Sequence, residues 1–278
     1  MNNYLKHKVD PADRDLVSSI DELSLWAAPF GLSLLDKIKM NKNMNVLDVG
    51  SGLGFPSIEV AQRLGESSFV HAIDPWKEAN ERAEFKIKVN DIKNIKVING
   101  CAEKLPFEDS FFHLIISNNG INNVEDLPQV LKECRRVSKI GAQFIFTMNL
   151  EDSMIEFYDV LKKELLKRKD DEALKRMKGQ IYDKRKPVTE IESLLNNSGL
   201  NVNNIYEDKF YLRYADGTSM FYHPLIINWF LPGWKDIVNK ELQEEIFDSI
   251  ENKLNFTADK EGEIRLSIPF ITVDCTAV

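Results

Sequence analysis

Apolar positions along the chain alternate between short continuous runs and stripes at helical spacing. Val46-Leu47-Asp48-Val49 is a short buried strand within residues 45–49, stopped by glycines, and Phe55 to Leu64 then reads as a helix closed by Gly65. Phe69 to Ile73 is a second strand, Trp76 to Val89 a second helix and Ile95 to Ile98 a third strand. Leu114 to Ser117 is apolar on both faces and makes a fourth strand. Leu127, Val130, Leu131, Cys134 and Val137 fall on one helical stripe, and Ala142 to Met148 is a fifth strand. Strands apolar on both faces, each followed by a helix, require a parallel sheet covered by helices. With right-handed crossovers the expected fold is α/β, a doubly wound, mostly parallel sheet.

The last half is less regular. Ser153 to about Met177 reads as helical, with Met154, Tyr158, Leu161 and Leu165 on one face. Pro187 and Thr189 start another helix, for which Thr189 and Glu192 fit a capping box and Gly199 is the stop. Asp208 to His223 alternates around Asp216-Gly217, a hairpin signal, and Ile264 to Val273 is a final strand. The sheet is therefore expected to end in an antiparallel strand or hairpin. The organisation expected is one domain over 1–278: an N-terminal helical lid at 1–40, a core at 41–150, a helical insertion at 151–187, and a C-terminal helix, hairpin and strands at 188–278.

Composition narrows the partners. With 36 Lys and Arg against 44 Asp and Glu the chain carries −8, which argues against a nucleic-acid binder. The balance is uneven: 162–186 holds eleven basic and five acidic residues. That run reads either as a solvated helix face or as a surface for an anionic partner, lipid headgroups or an acidic substrate. Cys101, Cys134 and Cys275 form no CxxC pair, so neither a metal site nor a disulfide framework is expected, and a reducing cytoplasmic location is the simpler reading. The charged N-terminus has no apolar core of a signal peptide, and the charge-poor stretch Gly217 to Trp234, interrupted by Pro224, Asn228 and Pro232, reads poorly as a membrane span.

The strongest chemical signal is Gly50-Ser51-Gly52-Leu53-Gly54, between a strand and a helix. Glycines there let the backbone turn sharply and approach a ligand. The dinucleotide pattern G-x-G-x-x-G fails in both frames, because Phe55 or Ser57 takes the last place. Asp48, inside the strand, is poorly placed to welcome a pyrophosphate and better placed to accept from an ammonium group, directly or through water.

Val46 to Gly54 resembles motif I of the class I S-adenosylmethionine-dependent methyltransferases. Further matches follow in order over residues 41–150, a Rossmann-like core in that family. The resemblance implies that Asp48, Gly50, Ser51, Gly52 and Gly54 hold S-adenosyl-L-methionine and its product S-adenosyl-L-homocysteine. Asp74, ending the second strand, corresponds to the acidic residue that takes the ribose hydroxyls. Gly100 to Phe107 resembles the adenine segment, and Ser117 and Asn118 the active-site end of the fourth strand. Two positions depart from the family. Cys101 stands where an adenine-binding Asp is common, which leaves the Ala102 backbone or Glu103 to substitute, and Cys101 itself reads as a small buried residue rather than a nucleophile. His113 stands where another Asp is common, at a strand start, and is assigned no chemistry.

The function implied is methyl transfer to a small-molecule acceptor, loosely like the quinone-biosynthesis methyltransferases. The alternatives are a catalytically silent cofactor-binding subunit and a methyltransferase acting on a macromolecule, for which Ser117-Asn118-Asn119-Gly120 shows no Asn-Pro-Pro-Tyr type motif. Candidate acceptor contacts are Trp26, Phe30, Asn119, Tyr222, His223 and Trp229. Trp26 and Phe30 serve either as a lid or as the packing face of a helix with Leu23, Leu34, Leu35 and Ile38. His223 is either a general base or a hydrogen-bonded structural histidine. His71 and His7 read as a face residue and a solvated one.

Overall fold

The computed structural model describes residues 3–6, 8, 10, 12–14 and 25–278. The expectations for His7, Leu23 and Ser24 lie outside them. In chain order the elements are α1 (Ala27–Leu35), β1 (Asn45–Val49), α2 (Ser57–Leu64), β2 (Phe69–Asp74), α3 (Lys77–Val89), β3 (Ile95–Asn99), β4 (Phe112–Asn118), α4 (Leu127–Val137) and β5 (Ser138–Asn149). They continue with α5 (Ile155–Lys167), α6 (Asp171–Lys184), α7 (Val188–Asn197), β6 (Leu200–Tyr214), α8 (Gly217–Tyr222), a π-helical turn (Ile226–Phe230), α9 (Leu231–Ile237), α10 (Gln243–Glu261) and β7 (Ile264–Ala277).

Two compact units divide the chain. The larger comprises Pro11–Asn149, Pro187–Asp208 and Phe270–Val278 in their described parts. Among the described residues the strands form a seven-stranded sheet in the order β3-β2-β1-β4-β5-β7-β6, of which β1 to β5 lie wholly within this unit. The pairs β1–β2, β1–β4, β2–β3 and β4–β5 are parallel, and β5–β7 is antiparallel, with Phe146 opposite Val273. The chain runs outward from β1 to β3 and then returns to β4, so β1 and β4 flank the point where strand order reverses, the usual place for a ligand in such sheets.

The apolar pattern explains the layers. Val46, Leu47 and Val49 are buried on both faces of β1. The stripe Leu127, Val130, Leu131, Cys134 and Val137 of α4 is buried, and the side chain of Asp126 caps that helix from Gln129 N–H at 3.0 Å. Gly65, with φ +66°, ends α2 as expected. Phe30, Leu34, Leu35 and Ile38 are core residues, and the Phe30 ring meets Phe270 edge-on at 4.8 Å. Each such fully buried side chain contributes about 1.5–3 kcal/mol. His71 is half-buried among the rings of Phe69, Phe107, Phe111 and Phe112. His113, at the start of β4, accepts from Asn45 N–H at 2.9 Å.

The smaller unit comprises Met1–Asp10, Leu150–Lys186 and Lys209–Pro269, again in their described parts. Its core is aromatic: Trp234 stacks on Phe157 with ring centres 3.6 Å apart, and Phe221 and Phe247 meet at 6.0 Å. Three local expectations are corrected here and at the neighbouring α7. Asp216-Gly217 is the start of α8 and not a hairpin turn, because the Asp216 carboxylate accepts from Ser219 N–H at 2.6 Å in a capping box. The helix expected over 153–177 is two, α5 and α6, because Lys169 takes φ +56° and Asp170 caps a new start through Ala173 N–H at 2.9 Å. The Thr189–Glu192 capping box does not form, since the residue before α7 is Pro187, which offers no side-chain oxygen. No helix among the described residues is long and apolar enough to cross a membrane.

Candidate functional site

The loop between β1 and α2 turns through three glycines with positive φ, +75° at Gly50, +49° at Gly52 and +92° at Gly54. L-residues with a side chain rarely adopt that region. The loop is held on its own neighbours: Gly50 N–H and Ser51 N–H both donate to Ile73 O, at 2.9 and 3.2 Å. Gly52 N–H donates to Asp74 Oδ2 at 2.8 Å, and Trp76 N–H to Asp74 Oδ1 at 2.8 Å. Asp74 therefore ties the loop to the end of β2. Burial raises its pKa, and the two backbone donors oppose that rise.

Asp48 is fully buried inside β1. Its Oδ2 accepts from the Ser57 hydroxyl, in the first turn of α2, and its Oδ1 has no hydrogen-bond partner among the described residues. Burial pushes its pKa up to about 7, against the Ser57 hydrogen bond and helped by negative Asp74. Ser57 was not legible as a site residue. The available signal was a hydroxyl placed to follow a buried strand carboxylate through a glycine turn.

The ends of β1 and β4 approach closely. A Cβ at Gly120 would lie 2.9 Å from Val49 O and 3.2 Å from Gly50 Cα. Ser117 is buried and donates its hydroxyl to Val49 O at 2.7 Å, so it fastens β4 to β1. Asn118 donates its amide to Ala27 O at 3.2 Å, while its Oδ1 accepts from the Thr147 hydroxyl at 3.0 Å. Thr147 Oγ1 in turn accepts from Asn119 N–H at 3.0 Å, and Asn119 takes φ +53°. Thr147, which the sequence did not single out, thus sets both asparagines. Helix α1 crosses this region so tightly that a Cβ at Gly31 would lie 2.2 Å from the Phe55 ring.

A cleft of about 480 Å³ opens at the C-terminal ends of these strands, within the size range of small-molecule sites. Of the residues expected to bind cofactor or acceptor, it is lined by Gly50, Asp74, Ala102, Glu103, Asn118 and Asn119. Asp48, Ser51, Gly52, Gly54 and Ser117 stand beside or behind that lining. Glu103 Oε1 also accepts from Glu125 N–H at 3.1 Å, which ties the loop after β3 to the turn before α4. Cys101 is exposed and lines the cleft, which corrects the expectation of a buried thiol: it follows β3 into the loop at the cleft mouth. Cys134 and Cys275 are buried, and burial pushes both thiols up to about 12.

Of the acceptor candidates in the larger unit, Phe30 is a core residue, and Trp26, half-buried one residue before Ala27, meets the Phe30 ring edge-on at 5.2 Å. Tyr222, His223 and Trp229 belong to the smaller unit. Tyr222 and Trp229 are exposed, and His223 meets the Tyr214 ring at 5.2 Å and accepts from Leu225 N–H at 3.3 Å. Burial lowers the His223 pKa, which favours its neutral form.

Comparison with known proteins agrees with this geometry. The profile of a family described as methyltransferase domain matches residues 40–244, most of the chain. A demethylmenaquinone methyltransferase of Geobacillus sp. (strain WCH70) is 31% identical over 123 residues, covering 44% of this chain and 53% of that protein. The enzyme of the same name from Listeria monocytogenes is 36% identical over 106 residues, covering 38% and 45%. The chain thus spans about half the length of the curated relatives it matches. Among solved structures, an S-adenosylmethionine-dependent methyltransferase from Aquifex aeolicus aligns with TM-score 0.51 at 20% identity, covering 71% of this chain and 92% of that one. Geranyl diphosphate C-methyltransferase from Streptomyces coelicolor, solved with S-adenosyl-L-homocysteine, aligns with TM-score 0.54 at 12% identity, covering 90% and 76%. At these identities the structures share the fold.

Proposed function

This chain belongs to the methyltransferase-domain family, as a class I S-adenosylmethionine-dependent methyltransferase, and we propose that it transfers a methyl group to a small-molecule acceptor. The observation that carries the reading is Asp74: a carboxylate at the mouth of the cleft, tied to the glycine loop by Gly52 N–H at 2.8 Å. Each of its oxygens accepts one backbone N–H and keeps a lone-pair direction for a ribose hydroxyl. The residues fit the cofactor on two further counts. Apart from its chain neighbours, no described residue comes within 4 Å of the place a Cβ would take on Gly52, so a ligand can approach the backbone there. Behind the loop, Asp48 Oδ1 is an unused acceptor for a cationic ligand group, reached directly or through water.

When bound, S-adenosylmethionine supplies a methyl activated by its sulfonium charge. The chain's own part is to bind, orient and exclude water. Asp74 takes the ribose, and Ala102 and Glu103 face the adenine. Gly50, Ser51, Gly52 and Gly54 shape the loop, and Ser117 holds it to β4. Asn118 and Asn119, set by Thr147, mark the acceptor end, with Trp26 beside them on the approach to α1. Alignment of the acceptor nucleophile with the breaking S–CH₃ bond supplies much of the rate. The curated relatives are named for demethylmenaquinone, and an acceptor with an aromatic or isoprenoid part is the class proposed here. Residues 1–278 act as one methyltransferase domain in a reducing, cytoplasmic setting.

Transfer of labelled methyl from S-adenosylmethionine to a metabolite extract, with demethylmenaquinone as a separate arm, tests the reading. Label in one organic-extractable product supports it. Cofactor binding with no label in either arm would favour the silent-subunit alternative, and label in protein or RNA would favour a macromolecular acceptor.

A further inference from the structure

The smaller unit contains a buried cation for which the described residues offer no counter-ion. Arg185 directly follows α6, and its backbone N–H closes that helix on Ile181 O at 2.9 Å. Its side chain is carried inward, to 5% exposure, with the guanidinium 5.3 Å from the centre of the Tyr158 ring. Nε and Nη1 are both buried, and among the described residues neither has an acceptor. The ring beneath cannot supply one, because its hydroxyl is committed: it donates to Gln180 Oε1 at 3.0 Å and accepts from Trp234 Nε1 at 3.3 Å. No ion pair between Arg185 and a carboxylate is found among the described residues; Glu164 pairs with Lys253 and Glu245 with Arg168.

A guanidinium does not shed its proton at any ordinary pH, so burial cannot be relieved by neutralisation. Buried polar groups are almost always paired, and buried charges are paired or bound to a counter-ion. Five N–H donors in a fixed plane, backed by an aromatic face, match the oxygens of a carboxylate or a phosphate. The surrounding run 162–186, with eleven basic and five acidic residues, draws anions toward this part of the unit. Of the eleven, Arg185 alone combines deep burial with unpartnered nitrogens among the described residues.

We propose that Arg185 is an anion-binding residue, whose guanidinium, stacked on Tyr158, takes the carboxylate or phosphate group of a small ligand. The inference lies wholly within the smaller unit and stands apart from the methyl-transfer reading. Its test is titration calorimetry of the full chain at low ionic strength, with inorganic phosphate in one arm and benzoate in the other, on the wild type, Arg185→Gln and Arg185→Lys. The expected result is one saturable site in at least one arm, weakened about tenfold or more by Arg185→Gln and less by Arg185→Lys. The responding arm identifies the ligand chemistry. A second readout covers a poorly folding variant: in anion-free buffer Arg185→Met melts no lower than the wild type, because it removes an uncompensated charge, and the wild type alone gains melting temperature on adding the anion. Absence of saturable binding in both arms, binding unchanged in Arg185→Gln, or an anion-free Arg185→Met that melts well below the wild type would each overturn the proposal.

Discussion

The backbone N–H of Gly52 donates to the Asp74 carboxylate at 2.8 Å, across 22 positions of sequence, and this bond joins the glycine loop to the second strand. The carboxylate is thus a structural acceptor before any ligand arrives. Hydrogen exchange should report it: the Gly52 amide is protected in the wild type and exchanges faster in Asp74→Ala, while amides of β5 keep their protection. Equal exchange at Gly52 in both proteins would mean that the bond does not persist in solution.

Asp48 gives the fold a pH signature. Its carboxyl titrates near 7 in the folded chain, against 3.8 for an unperturbed group, so the folded state binds the proton more tightly than the unfolded state. The stabilising contribution is therefore full below the unfolded value and is lost as pH rises through the folded one, a window of about pH 4 to 7 worth at most about 4 kcal/mol. Burial raises Asp74 in the same direction. Denaturant unfolding at pH 5 and pH 8 should show a drop in wild-type stability that shrinks in Asp48→Asn. Ser57→Ala should deepen it, because the hydroxyl that favours the ionised form is gone. A slope unchanged by Asp48→Asn would refute the assignment.

The approach of β1 to β4 predicts a contrast between two glycines. Gly120→Ala places a methyl 2.9 Å from Val49 O and 3.2 Å from Gly50 Cα, both backbone atoms that cannot yield cheaply. A loss of about 1–3 kcal/mol of stability is expected. Gly52→Ala meets open space, and its cost is confined to the φ of +49°. Chemical denaturation of the two variants decides the point, and a Gly120→Ala protein as stable as the wild type would contradict the close approach.

Trp26 precedes Ala27, whose carbonyl accepts from Asn118 at 3.2 Å, and the proposed function assigns it to the acceptor. Trp26→Ala should slow methyl transfer about tenfold or more while changing affinity for S-adenosylhomocysteine by less than about threefold. Parallel loss of both would make Trp26 a packing residue only.

The core of the fold was legible because its signals agree. Two-sided apolar strands, a stripe on α4 and glycines that end β1 all point to the same sheet, and Gly65 stops α2 where expected. Local signals that permit two outcomes misled. Asp216-Gly217 serves a tight hairpin and a helix start equally well, and the Ser219 amide decides for the helix. The helical run past Ser153 hid a break that depends on the positive φ of Lys169. At the site, Asp48, Asp74 and the glycines were readable as a motif. Ser57 and Thr147 were not, because their roles arise from contacts that only the folded chain makes. Arg185 was likewise hidden within a run of eleven basic residues, whose pattern does not say which one turns inward.

The central claim is that the cleft beside Asp74 is the cofactor site. Titration calorimetry with S-adenosylhomocysteine, on the wild type and Asp74→Ala, tests it most directly. The account predicts one saturable site in the wild type and a loss of about 1.5–3 kcal/mol for each charge-assisted hydrogen bond removed, hence at least about tenfold weaker binding in the variant. A folded Asp74→Ala protein that binds S-adenosylhomocysteine as tightly as the wild type would contradict it.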